Sequence, residues 1–350
     1  MKIFVGLSGG VDSAVAAARL IDAGHTVVGV FIKVWHPDWL VCNWEQERLD
    51  AMRVAATLRI PFLTCDAEAA YRDEVAAYFI REYTAGRTPN PDVMCNRAVK
   101  FGAFLQFAKA HKADAIATGH YAQRIDTVHG PQLVRGVDAT KDQSYFLWSL
   151  RGEQLGCALF PVGNTPKADI RVEATRRGLP VAQKRDSQGI CFLGHIDIKT
   201  FLSHYTTLIP GDVLNTQGTP IGRHDSALIY TLGQRHGFTV TGCGPNSAPH
   251  YVVDRDISHN TITVAQEPPI IAASSVLTLT GIVLRTPVST GTKLTAETRY
   301  HQRQPHTVTV TAVHADHLTL VTDTVGEAVS SGQSCVLYAG NTCVGGGIIG

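Results

Sequence analysis

The octapeptide Gly6-Leu7-Ser8-Gly9-Gly10-Val11-Asp12-Ser13 constrains this chain more than any other stretch. It follows a short apolar segment, Lys2 to Val5, that reads as a buried strand. It precedes Val11, Val15, Ala18 and Ile21, which recur at helical spacing until Gly24. The glycines therefore fall at a strand-to-helix turn, where backbone N–H groups and the positive end of a helix converge and can hold a pyrophosphate without a lysine. Ser8 and Ser13 add hydroxyl donors, and Asp12 adds a carboxylate to the first turn. The string is neither G-x-x-x-x-G-K-[ST] nor G-x-G-x-x-G, which disfavours the common NTPase and dinucleotide readings.

At 350 residues the chain exceeds one ordinary core. It has 44% apolar residues and no run of about eighteen of them, so neither a membrane span nor a leader is expected and a cytoplasmic location is. The eight cysteines are scattered without a C-x-x-C, which argues against a disulfide framework or a zinc ribbon, and no resident metal site is read. A net charge of +1 says nothing for or against nucleic acid, since a phosphate-binding face needs only local positive charge.

Strands and helices alternate along the first part of the chain. Strands are expected over His25 to Ile32, Ile60 to Thr64 and Ala115 to Gly119, and helices over Trp44 to Leu58, around Asp73 to Tyr83 and from about Asn96 to Lys112. This is an α/β, doubly wound parallel sheet, whose ligands sit at the carboxyl ends of the strands, where Gly6–Ser13, Ile32 and Gly119-His120 fall. From about Asp197 short mixed strands and glycine turns take over. Beyond about Pro269 apolar residues alternate strictly, as in His306 to Val313, and predict a small β-barrel. Three domains follow: 1–196, 197–268 and 269–350.

Two cysteines stand apart. Cys95 lies in Thr88-Pro-Asn-Pro-Asp-Val-Met-Cys-Asn96, where two prolines suggest an extended loop ending just before the basic helix. Helix N–H groups with Arg97 and Lys100 would favour the thiolate there, while Asp92 would oppose it or exchange the proton. Cys191 lies in Asp186-Ser-Gln-Gly-Ile-Cys-Phe192, after the basic pair Lys184-Arg185. Taken alone, either cysteine is more often a small buried hydrophobe.

The octapeptide resembles the PP-loop of ATP pyrophosphatases, which cleave ATP between the α- and β-phosphates. Together with the two cysteine strings, Ala117-Thr-Gly-His-Tyr121, Lys141-Asp-Gln-Ser-Tyr-Phe-Leu147, Tyr230-Thr-Leu-Gly-Gln-Arg235 and Gly345-Gly-Gly-Ile-Ile349 resemble the tRNA-specific 2-thiouridylase family, in its order and over essentially the whole chain. That resemblance implies replacement of the C2 oxygen of the wobble uridine by sulfur in tRNAs for Lys, Glu and Gln. It implies ATP, with Mg2+, held by Gly6–Ser13 with Ile32 and Gly119 closing around adenine and ribose. Cys191 would carry a persulfide and Cys95 would resolve it to a Cys95–Cys191 disulfide. Asp92 would act as acid or base at the uracil edge, framed by Asn90 and Pro91. The RNA contacts implied are His120, Lys141, Asp142, Gln143, Arg299, Tyr300 and Gln333.

His120 also reads as a strand-end histidine, Arg299-Tyr300 as a pair on a barrel surface, and Lys184-Arg185 as either a seat for the anticodon stem or a solvated pair. Further alternatives are an iron–sulfur cluster on Asp92, Cys95 and Cys191, a different enzyme with the same loop, and a non-catalytic tRNA-binding protein. A cysteine desulfurase or a relay protein is the implied sulfur donor, and a monomer is expected. The chain departs from the family pattern at Val34–Cys42, which lacks an acidic run, and at Ser330-Ser331-Gly332-Gln333, which lacks the usual proline.

Overall fold

The computed structural model describes residues 1–40, 44–185, 197–242, 244 and 247–350. Strands β1 (Lys2–Gly6), β2 (Thr26–Lys33) and β3 (Phe62–Asp66) lie parallel, with β1 central. Helix α1 (Val11–Asp22) follows the glycine turn, and α2 (Trp44–Leu58) connects β2 to β3. On the other side of β1 lie β4 (Ala115–Ala117) and, beyond it, a short strand at Ala158–Leu159, giving a five-stranded parallel sheet. The chain thus reverses its direction of winding at β1, and the glycine turn opens at that switch point.

Period-two alternation splits β1 between two cores. Ile3, Val5 and Leu7 pack with Val11 and Val15 of α1, while Phe4 packs with Val28, Val30 and Ile32 against Phe101 and Phe104. These aromatic residues belong to a helical stretch that begins with the turn Pro91–Cys95 and continues through a π-helical segment, Asn96–Ala103, into Phe104–Ala110. The basic helix expected from Asn96 therefore starts a turn and a half earlier. Asn90 caps it by accepting the N–H of Val93, and Pro91 fills the first position, where a missing N–H costs nothing.

The middle of the chain forms a mixed five-stranded sheet over a small core of Val213, Tyr230, Val252, Ile262 and Val264. The C-terminal part is a six-stranded barrel, closed where Val276–Leu284 pairs with Thr342–Ile349. Its alternation buries Leu277, Leu279, Val308, Val310, Leu318 and Leu320, as the sequence pattern predicts.

One connection has no counterpart in the sequence reading. The hairpin β5 (Ala122–Thr127) and β6 (Gly130–Arg135), which follows β4, pairs with the barrel instead of the parallel sheet, through Leu133 and Val134 against Cys343 and Thr342. At its end Arg135 donates to Asp142 at 3.0 Å and to Glu297 of the barrel at 2.7 Å, and its guanidinium lies 3.6 Å from the ring centre of Tyr338.

Candidate active site

The turn after β1 is shaped by what cannot fit there. Gly9 has φ +69°, and a Cβ on it would lie 2.7 Å from the carbonyl oxygen of Glu47 in α2. Gly10 is extended and enters α1 without a side-chain cap, so the helix N-terminus stays open for an anion. The Ser8 and Ser13 hydroxyls sit 3.3 Å apart, the Ser8 N–H points at Ser13 Oγ, and Ser13 Oγ donates to the Gly10 carbonyl at 3.2 Å. Ile32, nearly buried at the carboxyl end of β2, walls the turn beside Gly6. Gly119 abuts it from β4, since a Cβ there would be 2.6 Å from the Ser13 nitrogen.

Asp12 is not a bare helix-start charge. Its carboxylate accepts both Nζ contacts of Lys167, at 2.7 and 2.8 Å, and the Tyr121 hydroxyl at 2.6 Å. Lys167 opens the helix Lys167–Arg176 and is 8% exposed. A lysine thus stands beside a loop whose own sequence contains none. Nothing in local spacing points to it, because 155 positions separate the pair.

The Thr88–Cys95 segment is pinned from three sides. The Thr88 N–H donates to Ser331 of the barrel at 2.9 Å, its hydroxyl meets that of Thr231 at 3.1 Å, and Arg255 donates to the Gly86 carbonyl at 2.9 Å. Gly332 makes the barrel contact possible: its φ is +89°, and a Cβ would lie 2.9 Å from the Thr88 nitrogen. Asp92 sits in the first helical turn and is partly exposed, while Cys95 lies inside the helix and is fully buried rather than preceding it in a loop. Cys191 lies outside the described residues, as does Cys42.

The other candidates are distributed around this junction. His120 is buried beside Phe101 and Phe160, with Nδ1 at 2.7 Å from the Thr118 hydroxyl. Burial first, and Lys100 second, hold its pKa well below the usual 6.5, so the ring is neutral. Asp142 is buried and takes Arg135, the Gly136 and Ser144 N–H groups and the Ser144 hydroxyl, and Gln143 bonds to the backbone of Tyr121. Lys141 is half-buried. Arg299 reaches Glu327 and the Ala328 carbonyl, close to Gly233. Tyr300 packs on Phe146 at 4.4 Å, and burial pushes its hydroxyl up to about 12. Gln333 closes the Ser330 turn two residues beyond the Thr88 contact. Lys184 is paired with Asp50 at 2.8 Å, directly behind Gly9. Among the described residues no His, Cys, Asp and Glu group is arranged to hold a metal ion, and no helix is long and apolar enough to cross a membrane.

Three family models match the chain: "tRNA methyl transferase HUP domain" over residues 1–195, "tRNA methyl transferase PRC-barrel domain" over 199–266 and "Aminomethyltransferase beta-barrel domain" over 277–349. Full-length relatives carry a different name, tRNA-specific 2-thiouridylase MnmA. The protein of that name from Thiobacillus denitrificans is 44% identical over 359 residues, covering 99% of both chains. Those from Klebsiella pneumoniae and Proteus mirabilis are each 42% identical over 355 residues, covering 99% of this chain and 96% of theirs.

Proposed function

Because the chain belongs to the tRNA-specific 2-thiouridylase family and is a transferase that thiolates uridine in tRNA, we propose that it acts on the wobble uridine of tRNAs for Lys, Glu and Gln through an adenylated base and a cysteine persulfide. The reading is carried by the turn from Gly6 to Ser13, with its open helix end, paired hydroxyls and firmly held Asp12.

The C2 oxygen of uracil is a poor leaving group. Its attack on the α-phosphate of ATP releases pyrophosphate and converts that oxygen to adenylate, which departs as AMP with little proton help. The α1 N-terminus and the Ser8 and Ser13 donors suit the phosphate charge that develops in this step. Ile32 and Gly119 border the same turn and would close around adenine and ribose. Mg2+ would neutralise phosphate charge; Asp12 is the carboxylate of the loop, and its oxygens are already engaged by Lys167 and Tyr121.

In the second step the terminal sulfur of a Cys191 persulfide bonds to C2 and AMP leaves. Attack of the Cys95 thiolate on Cys191 Sγ then breaks the sulfur–sulfur bond, leaving thiocarbonyl sulfur on the base and a Cys95–Cys191 disulfide. The two electrons gained by the transferred sulfur come from the thiol pair, so an external dithiol must reduce it before the next turnover. Asp92, in the turn before Cys95, suits proton exchange at the uracil edge, with Asn90 and Pro91 framing the flipped base. A cysteine desulfurase or relay protein supplies the persulfide, and the enzyme works as a monomer. RNA would lie along Lys141–Gln143, Arg299, Tyr300 and Gln333. Neutral, inward-facing His120 suits a packing role at that edge better than a phosphate contact.

The test is anaerobic purification with iron analysis, followed by a single turnover with ATP, a desulfurase system and unmodified glutamate tRNA. Thiouridine from iron-free protein supports the persulfide route. Product from iron-loaded protein alone would make Asp92, Cys95 and Cys191 cluster ligands, and no product would leave a tRNA-binding protein.

A further inference from the structure

The loop that follows β6 approaches Asp12 from two directions. Gln143 grips Tyr121 at both backbone groups: its Oε1 accepts the Tyr121 N–H at 3.0 Å and its own N–H donates to the Tyr121 carbonyl at 2.8 Å. The Tyr121 hydroxyl then donates to Asp12. At the other end of the loop Asp138 accepts the backbone N–H of Lys167 at 3.0 Å, and the Lys167 ammonium holds the same carboxylate. Tyr121 has little room to shift, since a Cβ on Gly136 would lie 2.7 Å from its carbonyl oxygen and one on Gly163 1.7 Å from that of Ala122. Between the two arms, Asp142 is fastened to Arg135, and Arg135 to Glu297 of the barrel.

We infer that Gln143 is a positioning residue of the nucleotide site: acting through Tyr121, it sets the Asp12 carboxylate at the mouth of the phosphate turn. The inference rests on the reading of that turn as an ATP site. It gives the loop of residues 138–143 a duty beyond touching RNA, for the Gln143 oxygen is engaged inside the protein. A group held by two converging arms keeps one geometry before its ligand arrives, which is where positioning lowers the cost of binding.

The two roles for Gln143 make opposite demands on its chemistry. Support of Tyr121 needs only an acceptor, which glutamate supplies and alanine does not. Contact with an RNA phosphate needs the amide donor, and glutamate would repel the phosphate. The experiment compares Gln143→Ala, Gln143→Glu, Tyr121→Phe and Gln143→Ala/Tyr121→Phe in the full chain. It measures the Kd of Mg·ATP by calorimetry without RNA, the KM for tRNA in the thiolation assay, and the unfolding midpoint.

Gln143→Ala should weaken ATP by about 3- to 10-fold, and Gln143→Glu should recover most of the lost ATP affinity. Tyr121→Phe keeps the ring and backbone and serves where a Gln143 variant folds poorly. It should weaken ATP by a similar factor, and the double variant should be little worse than the worse single, as expected of two residues on one path. A raised tRNA KM with unchanged ATP affinity in Gln143→Ala, or full additivity with Tyr121→Phe, overturns the inference. ATP binding with no thiouridine formed would sink the proposed function while leaving this comparison intact.

Discussion

The backbone N–H of Thr88 donates to the carbonyl of Ser331 across 2.9 Å, fastening the segment that carries Asn90, Asp92 and Cys95 to the C-terminal barrel. Thr231, in a loop of the middle part of the chain, meets the Thr88 hydroxyl from the other side. The residues proposed for the uracil edge therefore hang from the point where all three parts of the chain touch.

Gly332 is the residue that lets the barrel come so close. Alanine there must adopt a positive φ and place its Cβ 2.9 Å from both the Thr88 nitrogen and Arg87 Cβ. Gly332→Ala should cost about 1–3 kcal/mol of stability. It should slow single-turnover thiolation while leaving ATP affinity near that of the parent. Equal losses in both would mean that the contact matters only for folding.

Asp12 and Lys167 form the second tie. Asp12→Ala should abolish adenylation and thiolation together. Lys167→Met removes two charge-assisted hydrogen bonds and should lower kcat/KM for ATP by about 10- to 100-fold. Pyrophosphate release with saturating tRNA checks both variants, and wild-type rates in Lys167→Met would show that Tyr121 alone suffices to hold Asp12.

The cysteine roles separate by step. Cys191→Ser should still form AMP and pyrophosphate from ATP in the presence of tRNA but yield no thiouridine, whereas Cys95→Ser should stall with sulfur still bound to the protein. Thiouridine produced by Cys191→Ser would remove Cys191 from the chemistry.

Stability should depend on pH through His120. Burial and Lys100 keep its folded pKa below the ordinary 6.5, so below that pH the unfolded chain takes up a proton that the folded chain refuses. Its contribution is complete above about pH 6.5 and is lost as the pH falls. His224 and His306, lowered first by burial, act in the same sense. Urea midpoints near pH 7.5 and 5.5 should differ, and His120→Gln should narrow the difference; an unchanged difference would assign it to the other histidines.

Arg135 stands between two nearly buried carboxylates, with Asp142 at 6% and Glu297 at 11% side-chain exposure. Arg135→Met leaves both without this partner and should cost about 3–5 kcal/mol. Arg135→Lys keeps the charge but loses the fork and should fall between. Urea unfolding reads both, and a cost under about 1 kcal/mol would mean that water replaces the guanidinium.

What the sequence makes legible is local. Helical spacing brackets Trp44–Leu58, alternation marks the barrel strands, and the glycine pattern puts the turn at the end of β1. The helix start at Pro91 was also written there, in Asn90 followed by proline, but two prolines close together read as extended chain. What escapes are pairings across long separations, such as Lys167 with Asp12, Thr88 with Ser331, and β6 with the barrel. Each joins residues whose neighbours carry no trace of the partner. The inward commitment of Asp142, Gln143 and His120 escapes for the same reason, since residue type alone does not say which way a polar side chain faces.

Pairing of the early hairpin with the barrel also sets an order of events during synthesis. Leu133, Val134 and Arg135 leave the ribosome long before Cys343 and Glu297 exist to receive them. Until then a strand edge and a guanidinium wait without their final partners.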